Sequence, residues 1–250
     1  MTDFSYQLYS SRNFPPLENT LQMLSSLGYA QVEGYGGLFG ADADPFAIRG
    51  LLDENGLSMP TTHIGVDEIE ANAASVISLA RVLGADTVFA PYLAAEQRPA
   101  DATGWAAFAA RLAEAGKPLL DAGLRFGWHN HDFELAQVDG EFVLDLILGG
   151  SDDISLELDL AWVKVGGQDP VEWITKHADR LVSVHLKDIA PKGEAADEDG
   201  WADVGHGTMD WSGITAALKG TGVSYFVMEH DNPNDHERFA RRSIEAARTF

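Results

Sequence analysis

The sequence contains no cysteine. That excludes disulfides, thiolate nucleophiles and cysteine-held zinc or iron–sulfur clusters, so any bound metal must use oxygen and imidazole donors. Basic residues are scarce: 17 Lys and Arg stand against 39 Asp and Glu, for a formal charge of −22. A chain this acidic repels phosphate backbones and anionic lipid faces, so neither nucleic acid nor membrane is an expected partner. No apolar run approaches the roughly 18 residues that span a bilayer, and MTDFSYQLYS has no basic stretch leading into an apolar one. A cytoplasmic protein is the expectation. A GxGxxG turn is missing after the first β-rich run, which argues against an open dinucleotide-binding sheet.

What is present is a long, regular alternation. A chain of 250 residues, 45% apolar, suits one (β/α)8 TIM barrel of the α/β class over residues 1–250. Phe4–Tyr9 reads as a first strand, followed by a helix entered through Pro15-Pro16 and stopped by Gly28. Further strands are expected at Gln31–Gly34, up to His63, at Thr87–Pro91, Leu124–Trp128, Ile154–Leu160, Leu181–Leu186 and Tyr225–Met228. Helical patterns separate them, over Pro45–Asn55, Glu68–Leu83, Trp105–Ala122, Phe142–Leu148, from Pro170, over Trp211–Lys219 and Asp235–Thr249. Strand-then-helix repeated in this way predicts eight strands and eight helices closing into a parallel barrel. Only the polar stretch Ala190–Met209 breaks the rhythm.

A barrel places its function at the carboxyl ends of the strands. Glu33 and Tyr35 fall at the second such end and His63 at the third. The fifth carries His129, His131 and Glu134, the sixth Asp159, the seventh His185 and Lys187, and the eighth Glu229 and His230. Any one of these has an ordinary structural reading: a hydrogen-bonded histidine, a helix cap, a solvated Lys187–Asp188 pair. Converging on one mouth, they would repel or desolvate one another without a cation or a substrate. His177, near a helix end, reads as structural, and His236, at the start of the last helix, as a surface residue; His206 in DVGHG borders the pocket from the long loop. The acidic run Glu194–Gly200 reads as a solvated loop.

The motifs GWHNHDFEL, LELDLAWV, SVHLKD, DVGHG and VMEHD, in that order, resemble the sugar phosphate isomerase/epimerase family of xylose-isomerase-like TIM barrels over nearly the whole chain. The resemblance implies a divalent metal held by Glu134, Asp159, His185 and Glu229, with Mn²⁺ first and Mg²⁺, Co²⁺ or Zn²⁺ as alternatives. Members commonly carry the strand-five ligand near Trp128-His129. Glu134 is the nearest carboxylate here, and His129 or His131 in its place would shift preference towards Zn²⁺ or Fe²⁺. The implied activity is isomerisation or epimerisation of a sugar through a metal-stabilised enediolate. Glu134 and Glu229 are then the acid–base pair, with His63 and His131 as proton donors or orienting groups. His129, Lys187, Trp162, Tyr35, Glu33 and His206 are the candidates for contacting the sugar. The histidine-rich HNH segment also suits a lyase or dehydratase working on a 3-keto sugar, keto-glycoside or inosose. No Arg/Lys cluster for phosphate is evident, so an unphosphorylated small molecule is expected; a homo-oligomer is left open.

Overall fold

The computed structural model describes residues 3–40 and 43–250. Eight strands form the barrel: β1 (Phe4–Gln7), β2 (Gln31–Tyr35), β3 (Ser58–His63), β4 (Thr87–Ala90), β5 (Arg125–His129), β6 (Ile154–Asp159), β7 (Leu181–Leu186) and β8 (Tyr225–Met228). They close in the order β1-β8-β7-β6-β5-β4-β3-β2. Every barrel pairing is parallel. The expected barrel is therefore present.

Sequence punctuation sets the helix boundaries. Asp44, Asp101, Asp169 and Asp235 each accept a backbone N–H of the first helical turn, filling a bond the helix cannot make for itself. Gly28 and Gly84 end their helices at φ 84° and 81°, a left-handed conformation costly for residues with a Cβ.

Three expectations change. The segment after β6 forms two short helices, Leu160–Val165 and Pro170–Lys176, broken at Gly166-Gly167, so nine α-helices occur among the described residues. β1 stops at Gln7 and the chain continues as a 3-10 turn, Leu8–Ser11. The long polar loop is also ordered: Asp188–Ile189 pairs antiparallel with Trp201–Ala202. Within it Glu198 is buried and accepts from Arg238 Nη2 at 2.6 Å, so the acidic run is anchored rather than simply solvated.

Alternation along each strand sorts side chains into two populations. On β5, Phe126 and Trp128 face the helices, Trp128 meeting Phe108 with ring centroids 5.4 Å apart. Gly127 and His129 face inward. A Cβ on Gly127 would lie 2.4 Å from Ser155 O and 2.8 Å from the Phe89 ring, so the barrel wall admits only glycine there. On β6 and β7 the outward set is Leu156, Leu158, Val184 and Leu186, while Glu157, Asp159, Ser183 and His185 point the other way. All eight are buried.

Candidate metal centre and active site

Strand register gathers the inward polar residues. Asp159 is the partner of His185 across β6 and β7, and Glu157 that of His129 across β5 and β6. Glu33 enters from β2, His63 from β3 and Glu229 just past β8. Two overlapping sets result, each offering four donor atoms within 4.8 Å of one another: His129, Asp159, His185 and Glu229 at the rim, and His63, His129, Glu157 and His185 one layer down. His129 and His185 belong to both. The Nδ1 of His185 lies 2.8 Å from Glu229 Oε2, and its Nε2 2.7 Å from Glu33 Oε1.

These donors suit a cation. Asp159 Oδ2, His129 Nδ1, Glu33 Oε2 and Glu157 Oε1 are buried without a hydrogen-bond partner, although buried polar atoms are nearly always satisfied. Carboxylate and imidazole donors in one dry cluster, with lone pairs unused, match the chemistry of a divalent-metal site.

The electrostatics pull neighbouring groups apart. Burial disfavours the charged form of His63, but the Glu33 and Glu157 carboxylates outweigh it and push its pKa up to about 10. His185 is raised for the same reason, by Glu157, Glu229 and Glu33 acting against burial. His129 goes the other way, to about 4, because burial and the His185 charge both oppose its protonation. Burial likewise holds His131 well below the usual histidine value. Burial lifts Asp159 to about 7 against the pull of Lys187. For Glu229, Lys187 and His185 overcome burial, and the carboxyl is lowered.

Glu134 does not reach the cluster. Its carboxylate accepts from Trp128 Nε1 at 3.0 Å and from the His131 backbone N–H at 2.8 Å. Trp128 faces the helices, so the side chain bound to it is drawn behind the barrel wall. Glu134 belongs to neither donor set, and His129 occupies the strand-five place in the rim set. His206 is also displaced: it is exposed on a turn closed by its own N–H to Asp203 O, away from the rim cavity.

The other candidates surround two adjoining cavities. One, of about 350 Å³, is lined by Tyr9, Tyr35, His63, Tyr92, His129, His131, Glu229 and Asp231. The second, about 910 Å³ and open to solvent, is bordered by Trp162, Trp201, Lys164, Lys192 and Asp231. Tyr35 thus stands at the first and Trp162 at the second, while Glu33 lies beneath. Lys187 is wholly buried rather than solvated, 2.5 Å from Asp231, 3.3 Å from Glu229 and 4.4 Å above the Trp201 ring centroid. His177 is structural as expected, 3.2 Å from Asp145, whereas His236 is half-buried rather than a plain surface residue, bonding Ser11 and stacking on Phe14.

Four contributors escaped the sequence reading. Glu157 could have been found, because it sits two residues before Asp159 and strand alternation puts both on one face. Asp231 closes the VMEHD motif, which was its signal. Asn130 joins the ends of β5 and β6, its Oδ1 accepting from Asp159 N at 3.0 Å, which accounts for the middle of HNH. Asp188, far from solvated, accepts from the backbone N–H groups of Ile189, Gly205, Gly207 and Met209 and from Trp211 Nε1, seating the long loop on the barrel.

Comparison with known proteins agrees with this fold. The profile of the family described as "Xylose isomerase-like TIM barrel" matches residues 21–250. The inosose dehydratase of Geobacillus kaustophilus is 26% identical over 194 residues, 69% of this chain and 62% of that protein. The rhizopine catabolism protein MocC of Rhizobium meliloti is 25% identical, covering 92% of this chain and 83% of its own length. Among solved structures, a sugar phosphate isomerase/epimerase of Parabacteroides distasonis superposes with a TM-score of 0.82 at 21% identity, over 98% of this chain and 93% of that one. The IolI protein with a bound zinc atom gives 0.75 at 17% identity, covering 99% and 96%. These structures share the fold, and the last carries a metal on it. The chain belongs to the xylose isomerase-like TIM barrel family.

Proposed function

We propose that the protein is a divalent-metal-dependent dehydratase (lyase) of an unphosphorylated polyhydroxy ketone, a keto-cyclitol such as an inosose or a keto sugar. The observation that carries this reading is the one-sidedness of the cavity. Its carboxylates, Glu229 and Asp231, both come from the end of β8, while the other wall presents His63, His129 and His131. Epimerisation by two carboxylates on opposite faces of one carbon needed Glu134, whose carboxylate is held elsewhere by Trp128 and His131. Elimination from a single face needs only one.

His129, Asp159, His185 and Glu229 are the residues that would hold the cation. When bound, it supplies positive charge that makes the C–H beside a carbonyl acidic. Glu229, kept ionised by Lys187 and His185 against its burial, removes that proton. The electron pair moves into the adjoining carbon–carbon bond, and the C–O bond of the β-hydroxyl breaks. Glu229 returns the proton to the departing oxygen on the same face, so that water leaves. His131, neutral and with Nδ1 unpartnered, orients substrate hydroxyls from the far wall. Among the described residues no arginine or lysine lines this cavity, and the nearby ammonium of Lys187 is buried and paired with Asp231, which disfavours a phosphate there. The name of the Geobacillus relative, inosose dehydratase, fits the same substrate class.

Isomerisation or epimerisation is the second reading, favoured by His131 standing across from Glu229 where it could act on the opposite face of a substrate. Incubation with an inosose in D₂O separates the two. Water loss with a rising enone absorbance, abolished in Glu229→Gln, is the expected result. Deuterium uptake beside the carbonyl without water loss moves the assignment to isomerase or epimerase, and neither signal removes both.

A further inference from the structure

Four carboxylates face the barrel interior with at most 6% exposure: Glu33, Glu157, Asp159 and Glu229. The lysine among them, Lys187, is committed to Asp231 at 2.5 Å. Imidazoles that act as metal ligands must be unprotonated, and the four acids then place four negative charges away from water, where uncompensated charge is strongly unfavourable. A divalent cation among the rim donors offsets half of it. The remainder lies one layer down.

There the donors form a ring. His63 Nε2 is 2.5 Å from Glu157 Oε2, which is 3.2 Å from His185 Nε2. His185 Nε2 is 2.7 Å from Glu33 Oε1, which returns to His63 Nε2 at 3.2 Å. Ligands at right angles on bonds of about 2.1 Å are separated by about 3.0 Å, so the ring has the dimensions of an equatorial donor set. His129 Nδ1 stands 3.2 Å from Glu157 Oε2 as a fifth donor. Glu33 Oε2, Glu157 Oε1 and His129 Nδ1 all point into buried space without a hydrogen-bond partner.

We propose that this lower ring is a second divalent-cation site, built by Glu33, His63, Glu157 and His185 with His129 beside them. It rests on the reading of Asp159, His185 and Glu229 as ligands of the first. His185 serves both through different atoms, Nδ1 towards Glu229 and Nε2 towards Glu33 and Glu157. With both nitrogens coordinated the ring is an imidazolate, and the proton it gives up leaves to solvent. Two carboxylates with two or three imidazoles select a first-row ion such as Co²⁺, Mn²⁺ or Zn²⁺ over Mg²⁺ or Ca²⁺. Seated beneath the cavity that His63 and His129 line, this cation fixes the position and basicity of His185.

The test strips the purified protein with a chelator and titrates it with Co²⁺. Bound metal is counted by elemental analysis, and crystals of the loaded protein are measured at the cobalt absorption edge. Two equivalents per chain are expected, with one anomalous peak among Asp159, His185 and Glu229 and another among Glu33, His63 and Glu157. Glu157→Gln should retain one equivalent and the upper peak, Asp159→Asn one equivalent and the lower peak. A single upper peak in the unmodified protein overturns the second site and leaves the proposed function intact. A single lower peak keeps the lower site but overturns the rim centre and the function built on it. No peak at saturating Co²⁺ overturns both. The unmodified protein decides these outcomes even if a variant fails to fold.

Discussion

The two faces of β6 and β7 follow opposite rules. Outward, Leu156, Leu158, Val184 and Leu186 give the helices a hydrocarbon surface buried to the last few per cent. Inward, one residue away in each case, Glu157, Asp159, Ser183 and His185 put ionisable or polar groups in an equally dry place. Burial is the same and its consequence is reversed. On one face it contributes stability through area removed from water; on the other it perturbs proton affinities and leaves donors unsatisfied. The division shows that this barrel draws its stability from the layer between strands and helices and gathers its ionisable groups at its centre.

The sharpest way to break that division is to change Asp159. Asp159→Asn keeps the shape and removes the charge, so turnover should fall by roughly 10³-fold or more and bound rim metal should be lost. Thermal unfolding and metal analysis on the same sample check that the loss is chemical; a variant with full activity would remove Asp159 from the site. Its neighbour on the other face should behave in the opposite way. Leu158→Ala leaves a cavity under the helices and should lower stability by about 3 kcal/mol in denaturant titration, with the activity per folded molecule retained. If activity collapses while stability holds, the two faces are not separable.

A smaller effect is expected at Asp188, which belongs to the rim yet serves packing. Asp188→Ala strands five N–H donors and should cost about 2 kcal/mol, with faster proteolysis between Ala190 and Met209. A purely pH-dependent effect is expected at Glu134. Burial lifts its pKa from about 4.5 to about 8, so the folded state holds a proton the unfolded chain releases. Its stabilising contribution is therefore complete below about pH 4.5 and is lost as the pH rises towards 8. Glu134→Gln should flatten that part of the stability–pH curve; an unchanged slope would show the carboxyl to be ionised throughout.

Much of the fold was legible because periodicity and punctuation are local properties. Strand runs such as Leu181–Leu186 and glycine stops such as Gly28 and Gly84 announce themselves within a few residues. Strand ends also pointed to Asp159, His185 and Glu229, since a barrel converts sequence position into spatial position. Glu134 was misplaced because the sequence does not reveal that a tryptophan N–H behind the wall competes for its carboxylate. Glu157 was overlooked because attention rested on strand ends, although alternation alone puts it on the same face as Asp159. Lys187 was placed at the rim by its strand end, but its burial and the packing role of Asp188 were not legible, because nothing in the sequence tells that the following loop folds back over them.

That adjacency has a consequence for how the mouth of the barrel responds to what enters it. The ammonium of Lys187 touches the acids of the floor, and the next carboxylate along the chain fastens the cover. Lid and floor therefore share a single peptide unit. A displacement of the cover large enough to unfasten it turns that peptide, carries the positive charge with it and changes the field felt by Glu229.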